Sequence, residues 1–332
     1  MAPMPPDALR SVPGYRHLPG HHCGSTAIRN VLGFHGIELT EEMAFGLGAG
    51  PCFYYLVLDE GSPTRFTNGR TSRLEERFLE FAELPLRLEK FDTADASWSA
   101  ARTAIDSGQP VLLLTDLFYL DHYGRSAHFP GHAVVLVGYD DDGALLSDTD
   151  FAELQRTSLA SLAQARHADH PVYELAGDMI SLDPDAPRGD PAAGVDRAIA
   201  ATAARMLEPQ LGEFEGLPAL RRFAGEVGDW RDGAPDWQWC ARFNYQAIER
   251  RGTGGGNFRL MYSRFLSEVG YVDCSRLAAA AAAAWTRLAE ELRAASDSDG
   301  AGDDRWPGIA DLAERVLESE EGLWSALARI GA

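Results

Sequence analysis

Three apolar segments between residues 109 and 150 constrain the fold of this chain more than any other feature. They are QPVLLLTDLFYL, GHAVVLVGYD and GALLSDTD. Short apolar runs rich in β-branched and aromatic residues, bounded by turn residues, predict strands. The sequence Asp-Asp-Asp-Gly between the last two segments predicts a polar hairpin turn, so this part of the chain should form an antiparallel sheet.

Helical patterns lie on both sides of this predicted sheet. Before it, apolar residues recur at helical spacing in three segments, at 23–35, 72–84 and 98–108, and the pattern predicts a strand at 53–58. From about residue 152 onward, Ala, Leu, Glu and Arg recur at helical spacing and no convincing strand appears. The pattern predicts an α+β fold, with one domain at residues 15–160 and a mainly α-helical domain at 161–332.

Charge and composition exclude several classes of function. The chain has 30 Lys and Arg against 50 Asp and Glu, a net charge of -20, which would repel a nucleic-acid backbone and an anionic membrane. No apolar run is long enough to span a bilayer, and the N-terminal sequence lacks the pattern of a signal peptide. Four scattered cysteines without a CxxC pair are typical of reduced thiols. The sequence therefore predicts a cytoplasmic protein that binds neither nucleic acid nor membrane.

Cys23 is the candidate nucleophile. It begins a segment of helical periodicity that ends at Gly36, and the partial positive charge of a helix N-terminus favours a thiolate. A cysteine nucleophile also needs a general base, usually a histidine from elsewhere in the chain. His132 is the candidate base, because it opens the second predicted strand and would lie at the end of the sheet.

Two carboxylates could orient the imidazole of His132. The third predicted strand ends in SDTD, which offers Asp148 and Asp150. Opposed residues of an antiparallel hairpin share a face, so a three-residue turn would put Asp150 opposite His132 and Asp148 diagonal to it. A two-residue turn would direct both carboxylates away. The spacing leaves this choice open.

Other interpretations of these residues are simpler. A cysteine is often only a small buried side chain, and histidines near a cleft either bind substrate or cap loops. The histidines in question are His21, His22, His122 and His128. The residues that a metal would recruit are His17, His21, His22, Cys23 and His35, and they lack a standard zinc spacing. The sequence predicts no metal and no cofactor.

Two segments carry a resemblance to a known family, HHCGSTAIRNVLGFHGIELTEEMAFGLGAGPCFYY and DLFYLDHYGRSAHFPGHAVVLVGYD. They resemble the N-terminal domain of the butirosin biosynthesis protein H family, whose papain-like members resemble the cysteine peptidases that cleave bacteriocin leaders. The helical domain that commonly follows is similar to GTGGGNFRLMYSRFLSEVG and AAAAWTRLAEEL. The resemblance covers most of the chain and implies a papain-like, cysteine-protease-type N-terminal domain.

The resemblance also implies a reaction and its residues. An acyl group would pass from the phosphopantetheine thioester of an acyl carrier protein, through a cysteine acyl-enzyme, to the amine of a small molecule in antibiotic biosynthesis. The nucleophile falls on Cys23 and the base on His132, and the spacing in related enzymes places the orienting acid at Asp148 rather than Asp150. Papain-like enzymes often have an oxyanion-binding glutamine six residues before the cysteine, and that position is His17 here.

The remaining site candidates and functions stay open at this level. His17, His22 and Asp150 are kept as candidates for contacting the substrate or the oxyanion, and the backbone amide of Cys23 is a further candidate donor to the oxyanion. The same triad could serve a thioesterase, a peptidase or a thioester-cleaving cyclase, and a papain-like domain could also bind a carrier protein or a ligand without catalysis. The sequence does not define the acyl group, the acceptor or the oligomeric state.

Overall fold

The chain forms two compact units in the computed structural model, which describes residues 9–171, 173–298 and 305–330. Unit 1 comprises Met1–Ala44 and Glu83–Asp190, and unit 2 comprises Phe45–Ala82 and Pro191–Ala332. Within the described ranges, no helix combines the length and the apolar composition that crossing a bilayer would require.

The described residues form strands in the first part of the chain and mainly helices in the second. The strands are β1 (Arg10–Ser11), β2 (Pro51–Val57), β3 (Arg65–Arg70), β4 (Leu86–Glu89), β5 (Val111–Asp116), β6 (Pro130–Tyr139), β7 (Gly143–Ser147), β8 (Gln155–Ser158) and β9 (Met179–Leu182). The helices are α1 (Cys23–Phe34), α2 (Glu41–Leu47), α3 (Leu74–Phe81), α4 (Ala94–Asp106), α5 (Leu159–Arg166), α6 (Val195–Leu207), α7 (Gly216–Val227), α8 (Trp230–Gly233), α9 (Trp237–Glu249), α10 (Arg259–Glu268), α11 (Val272–Asp297) and α12 (Trp306–Leu327).

A single antiparallel sheet forms the centre of unit 1. Its strand order is β4-β9-β5-β6-β7-β8, and β1 pairs with β6 as well. The central strands β5 and β6 are apolar almost throughout, and every residue of β5 is buried. Helix α1 packs against both of them, and the apolar faces of α4 and α5 complete the core. The α+β prediction, with an antiparallel sheet and a helical remainder, is confirmed.

At the end of the hairpin away from its turn, strands β6 and β7 have the register that a three-residue turn would produce. Tyr139 pairs with Ala144 beside the turn, but a β-bulge between Leu136 and Gly138 changes the register by one residue. Beyond the bulge, Val135 pairs with Ser147. Because side chains alternate along a strand, the residue that follows Ser147 shares a face with residue 132. The bulge therefore directs Asp148 toward the face that carries His132.

Two strands follow residue 152, and the expectation of none there is wrong. Strand β8 pairs with β7, and β9 is inserted between β4 and β5. Each has four residues, too few for their apolar pattern to separate strand from loop. Strand β9 is stabilised by partners that are distant in sequence, so local propensity carried little signal there.

The two compact units also differ from the predicted boundary near residue 160. Residues 161–190 belong to unit 1, because β9 pairs with two strands of its sheet. Residues 45–82 belong to unit 2, because the hairpin of β2 and β3 packs against α7 and α9. Positions 172, 299–304 and 331–332 of the predicted helical domain lie outside the described residues.

Unit 2 is mainly helical, with β2 and β3 as a two-stranded sheet. Its longest helix, α11, packs against α9, α10 and α12. The alanine run of α11 permits a close backbone approach: a Cβ added to Gly256 would lie 2.6 Å from the Cα of Ala282. Gly256 belongs to the glycine-rich loop between α9 and α10, and its φ of 54° suits glycine. Helix packing thus accounts for the alanine run.

Candidate active site

Cys23 is the first residue of α1, and its side chain is partly exposed. His22 is the N-cap: its backbone is extended, and its Nδ1 accepts a hydrogen bond from the N–H of Ser25 at 3.2 Å. This bond satisfies one of the N–H groups that the first turn of a helix leaves without a helical partner. His22 is 2% exposed, so the structure shows this candidate as a buried helix cap. Cys23 lies at the end of the helix whose dipole favours negative charge.

The carboxylate of Glu41 holds the segment that leads into Cys23. Its Oε1 accepts the backbone N–H groups of His21 at 2.9 Å and His22 at 2.7 Å. The approach is close: a Cβ added to Gly20 would lie 2.5 Å from Oε2 of Glu41 and 2.1 Å from Oγ1 of Thr26. A buried carboxylate with two backbone donors and a glycine beside it therefore fixes where α1 begins.

His132 lies on β6 and is 3% exposed. Its Nε2 is 3.1 Å from both carboxylate oxygens of Asp148, and Cys23 is close enough to act on the imidazole electrostatically. Burial acts to lower the pKa of His132, but the charge and the hydrogen bond of Asp148, together with the interaction with Cys23, outweigh it and raise the pKa well above its usual range. The imidazolium form of His132 is therefore favoured.

Asp148 follows β7 directly and has no exposed surface. It accepts hydrogen bonds from three side chains: Nε2 of His132, Nε2 of His122 at 2.9 Å and the hydroxyl of Tyr123 at 3.1 Å. Burial acts to raise its pKa, yet the charge of His132 and the bonds from the two histidines lower the pKa below its usual range. Asp148 is held as a carboxylate.

Asp150 is placed differently from Asp148. It is exposed, and its Oδ2 accepts from the hydroxyl of Tyr123 at 3.2 Å. Tyr123 lies between the two acids, and its ring meets the ring of His132 edge-on, with centroids 5.5 Å apart. The structure thus brings Cys23, His132 and Asp148 together and leaves Asp150 one side chain away from the imidazole.

His17 is engaged through both ring nitrogens, which disagrees with its predicted part in oxyanion binding. Its Nε2 is 2.9 Å from the carbonyl oxygen of Phe151, and its Nδ1 is 2.8 Å from Oγ of Ser147. A carbonyl only accepts, so Nε2 carries the proton and Nδ1 accepts from the serine hydroxyl. The ring therefore has no N–H left for an oxyanion and instead ties the segment before α1 to the end of β7.

His122 and Tyr123 are the site residues that sequence reasoning missed. They belong to a 3₁₀ turn, Asp121–Tyr123, between β5 and β6. The sequence marked His122 only as one of several histidines near a cleft, and nothing singled out Tyr123. No fixed sequence spacing connects this turn to Asp148, because the contact is made by the tertiary fold. The sequence therefore contains only a weak indication that His122 and Tyr123 belong to the site.

The other candidate histidines, His21 and His128, contact residues other than Cys23 and His132. The backbone N–H of His21 binds Glu41, while its side chain is exposed. His128 is half-exposed, stacks on Phe118 with ring centroids 4.0 Å apart, and has its Nδ1 2.7 Å from Oδ2 of the buried Asp116. Among the described residues, no three His, Cys, Asp or Glu side chains are grouped as a metal ion would require.

Comparison with known proteins adds a family to this geometry. Residues 22–149, which contain Cys23, His132 and Asp148, match the profile described as butirosin biosynthesis protein H, N-terminal. Residues 160–327, more than half of the chain, match a domain of unknown function, DUF4872. The chain belongs to the family that combines these two domains. The resemblance drawn from the sequence motifs is confirmed.

Two other comparisons add little to this assignment. No curated protein matches the chain significantly. A solved structure of a putative C39-like peptidase from Bacillus anthracis is similar over 55% of this chain and 100% of its own, with 15% identity and a TM-score of 0.37. A likeness of this size supports no further argument. The papain-like order is visible in the elements themselves: a cysteine begins the first helix, and a histidine and an acid follow on an antiparallel sheet.

Proposed function

We propose that this protein is a cysteine-dependent acyltransferase of natural-product biosynthesis. The observation that carries the proposal is the buried imidazole of His132, which bonds to Asp148 and interacts electrostatically with Cys23 at the start of α1. The family description, butirosin biosynthesis protein H, supports a biosynthetic role. The acyl donor would be a thioester on the phosphopantetheine arm of an acyl carrier protein, and the acceptor a small-molecule amine.

In the first half of the reaction, Cys23 takes the acyl group. The thiol proton passes to His132, and Sγ attacks the thioester carbonyl carbon to form a tetrahedral adduct. The bond from that carbon to the carrier sulfur then breaks, and His132 returns the proton to the leaving thiol. The raised pKa of His132 suits this step, because its imidazolium stabilises the neighbouring thiolate.

In the second half, the amine displaces Cys23. Its nitrogen attacks the acyl carbon, His132 accepts the proton that the nitrogen loses, and the bond from carbon to Sγ breaks to give the amide and the free thiol. Asp148 keeps the imidazole in one orientation through both halves. The low exposure of His132 and Asp148 restricts water at the base, which favours aminolysis over hydrolysis.

The oxyanion of each tetrahedral adduct is assigned to backbone donors at the start of α1. Glu41 takes the N–H groups of His21 and His22, and His22 takes that of Ser25. The N–H of Cys23 belongs to the first turn, where no helical carbonyl accepts it. We therefore assign the donation to the charge that develops on the substrate oxygen to the N–H of Cys23.

The test is an intact mass spectrum of the full chain after incubation with a panel of acyl thioesters. We expect a mass increase of one acyl group that is absent from Cys23→Ala. The matched control is Cys274→Ala, because Cys274 is the other partly exposed cysteine of the described residues and should not affect the adduct.

Adding amines or water to the acyl-enzyme then separates the possible reactions. Release of an amide supports the transferase, whereas release of the free acid at the same rate with and without amine indicates a thioesterase or peptidase. Release of a cyclic product, into which neither the added amine nor water has been incorporated, indicates cyclisation. No adduct with any thioester, together with slow alkylation of Cys23, would contradict the proposal and favour a noncatalytic binding protein.

A further inference from the structure

Two histidines share one carboxylate at the centre of unit 1. Oδ2 of Asp148 is 2.9 Å from Nε2 of His122 and 3.1 Å from Nε2 of His132, and Oδ1 accepts from the hydroxyl of Tyr123 at 3.1 Å. A Cys-His-Asp site needs only one imidazole on its acid. The second imidazole has no part in the acyl transfer steps above, so its presence requires a separate explanation.

The contacts of His122 fix its proton on one nitrogen. A carboxylate only accepts, so Nε2 of His122 donates its proton to Asp148. Nδ1 is buried and has no hydrogen-bond partner among the described residues. The ring is otherwise enclosed by aromatic contacts, with centroids 4.9 Å from Tyr123 and 5.1 Å from Phe151. Among the described residues, the bond to Asp148 is thus the one hydrogen bond that the ring of His122 makes.

The turn that carries His122 is anchored independently of the active site. Oδ2 of Asp121 accepts the backbone N–H of Ser158 at 2.8 Å, and its Oδ1 accepts the hydroxyl of Ser161 at 2.6 Å. The N–H of Asp121 donates to Oγ1 of Thr157 at 3.2 Å. These bonds tie the turn to β8 and to the start of α5. The imidazole of His122 is therefore presented to Asp148 by a fixed piece of backbone.

We propose that His122 is a positioning residue that sets the basicity of His132 through Asp148. This inference rests on the proposed function. By donating to the shared carboxylate, His122 keeps Asp148 ionised and oriented, and it reduces the share of that negative charge available to His132. The imidazolium of His132 is then stabilised enough to accompany a thiolate, but not so strongly that it fails to return its proton to the leaving group.

The groups that face the carboxylate come from each element packed around it. They are His132 from β6, His122 and Tyr123 from the 3₁₀ turn, Cys23 from α1 through His132, and Asp150 through Tyr123. His122 can be removed without touching the thiol or the base. Substitution of His122 therefore alters the hydrogen bonding of Asp148 while Cys23 and His132 stay in place.

The decisive variant is His122→Phe, which keeps an aromatic ring and removes the donor. Without His122, Asp148 interacts more strongly with His132, so the imidazolium of His132 becomes harder to deprotonate. We expect the NMR titration midpoint of His132 to rise by about one pH unit, because the lost bond is to a charged group. The ring signal of His132 is assigned by its disappearance in His132→Gln.

Two further variants separate positioning from a merely structural role. His122→Gln places an amide N–H where Nε2 donates and should return the midpoint close to the wild-type value. His167→Phe is the matched control, because the Nε2 of His167 is 2.9 Å from the neutral hydroxyl of Ser97 rather than a carboxylate. That variant should leave the midpoint of His132 unchanged.

The kinetic consequence is measured as the rate of acyl-enzyme formation against pH. In His122→Phe, the alkaline limb of the pH–rate profile should move to higher pH by the same amount as the NMR midpoint of His132. The rate at neutral pH should fall about tenfold. An unchanged or lower midpoint in folded His122→Phe, or no recovery in His122→Gln, overturns the inference. The NMR titration needs no substrate, so a failure of the acyl transfer proposal, seen as no adduct at all, is distinguishable from a failure of this one.

Discussion

A buried ion pair in unit 2 offers the sharpest test of how this structure is stabilised. The side chains of Arg259 and Glu320 have no exposed surface, and Nε of the arginine donates to Oε1 of the glutamate at 2.7 Å. The same carboxylate accepts the indole N–H groups of Trp285 and Trp324, each at 2.6 Å. Glu320 is therefore the shared acceptor of three buried side chains.

The guanidinium has further acceptors, but none of them carries charge. One terminal nitrogen of Arg259 donates to backbone carbonyls of three residues, Cys52, Gly69 and Asn257. These bonds connect the start of α10 with β2, β3 and the glycine-rich loop. Among the described residues, Glu320 is the acidic side chain that pairs with Arg259.

The perturbation is Glu320→Gln. It removes the balancing charge, and the new amide NH₂ group faces donors instead of accepting from them. Breaking a buried pair by removing one partner costs about 3–5 kcal/mol, because the other charge remains buried. A domain is commonly stabilised by about 5–15 kcal/mol, so we expect the free energy of unfolding of unit 2 to fall by a large fraction.

The assay is urea unfolding followed by tryptophan fluorescence, to which unit 2 contributes six of the 7 tryptophans. The control is Glu321→Gln at the next position. Glu321 is 41% exposed and pairs with the exposed Arg221, so its loss should cost about 0–1 kcal/mol. The double variant Arg259→Met/Glu320→Leu removes both charges and should recover much of the loss. If Glu320→Gln lies within about 1 kcal/mol of Glu321→Gln, the pair does not stabilise the unit as argued.

Two further predictions concern the site. Asp148→Asn should slow acyl-enzyme formation by about 10³-fold or more, because the orienting charge on His132 is lost, whereas Asp150→Asn should stay within a few-fold of wild type; equal losses would refute the assignment of the acid. Folding lowers the pKa of Asp148, so the contribution of Asp148 to stability is present above about pH 4 and is lost in acid. Folding raises the pKa of His132, so the contribution of His132 is full below about pH 6.5 and is lost as the pH rises. The stability difference between wild type and Asp148→Asn in urea should therefore shrink from pH 6 to pH 9, and a difference that grows would contradict the charge assignment.

The segments that could be predicted from sequence are those whose structure is determined locally. Helix α1 could be identified because its apolar positions recur at helical spacing and Gly36 follows it. The strands β5, β6 and β7 could be identified because each is a continuous apolar run between turn residues. Cys23 and His132 lie at the ends of such elements, which is why both could be named as candidates from residue type and position.

Features that depend on distant pairing could not be predicted. The bulge between Leu136 and Gly138 sets the face of Asp148, and no local pattern announces it. Strand β9 has only four residues and exists because β4 and β5 flank it. His17 stands at the expected position of an oxyanion donor, yet the carbonyl of Phe151 and the hydroxyl of Ser147 occupy its ring. For β9 and His17 the deciding contacts are made by residues that are remote in sequence, whereas the bulge depends on how β6 and β7 align within one hairpin.

The contrast between net charge and site charge follows from distance and burial. The chain carries a net charge of -20, yet the carboxylate of Asp148 has two imidazoles and a phenol within 3.1 Å. Exposed charges are screened over about 8 Å at physiological salt, whereas a group without exposed surface interacts mainly with its immediate neighbours. The net charge of the chain therefore has little influence on this buried carboxylate. In the proposed reaction, proton transfer at Cys23 would depend on how Asp148 divides its charge between His132 and His122.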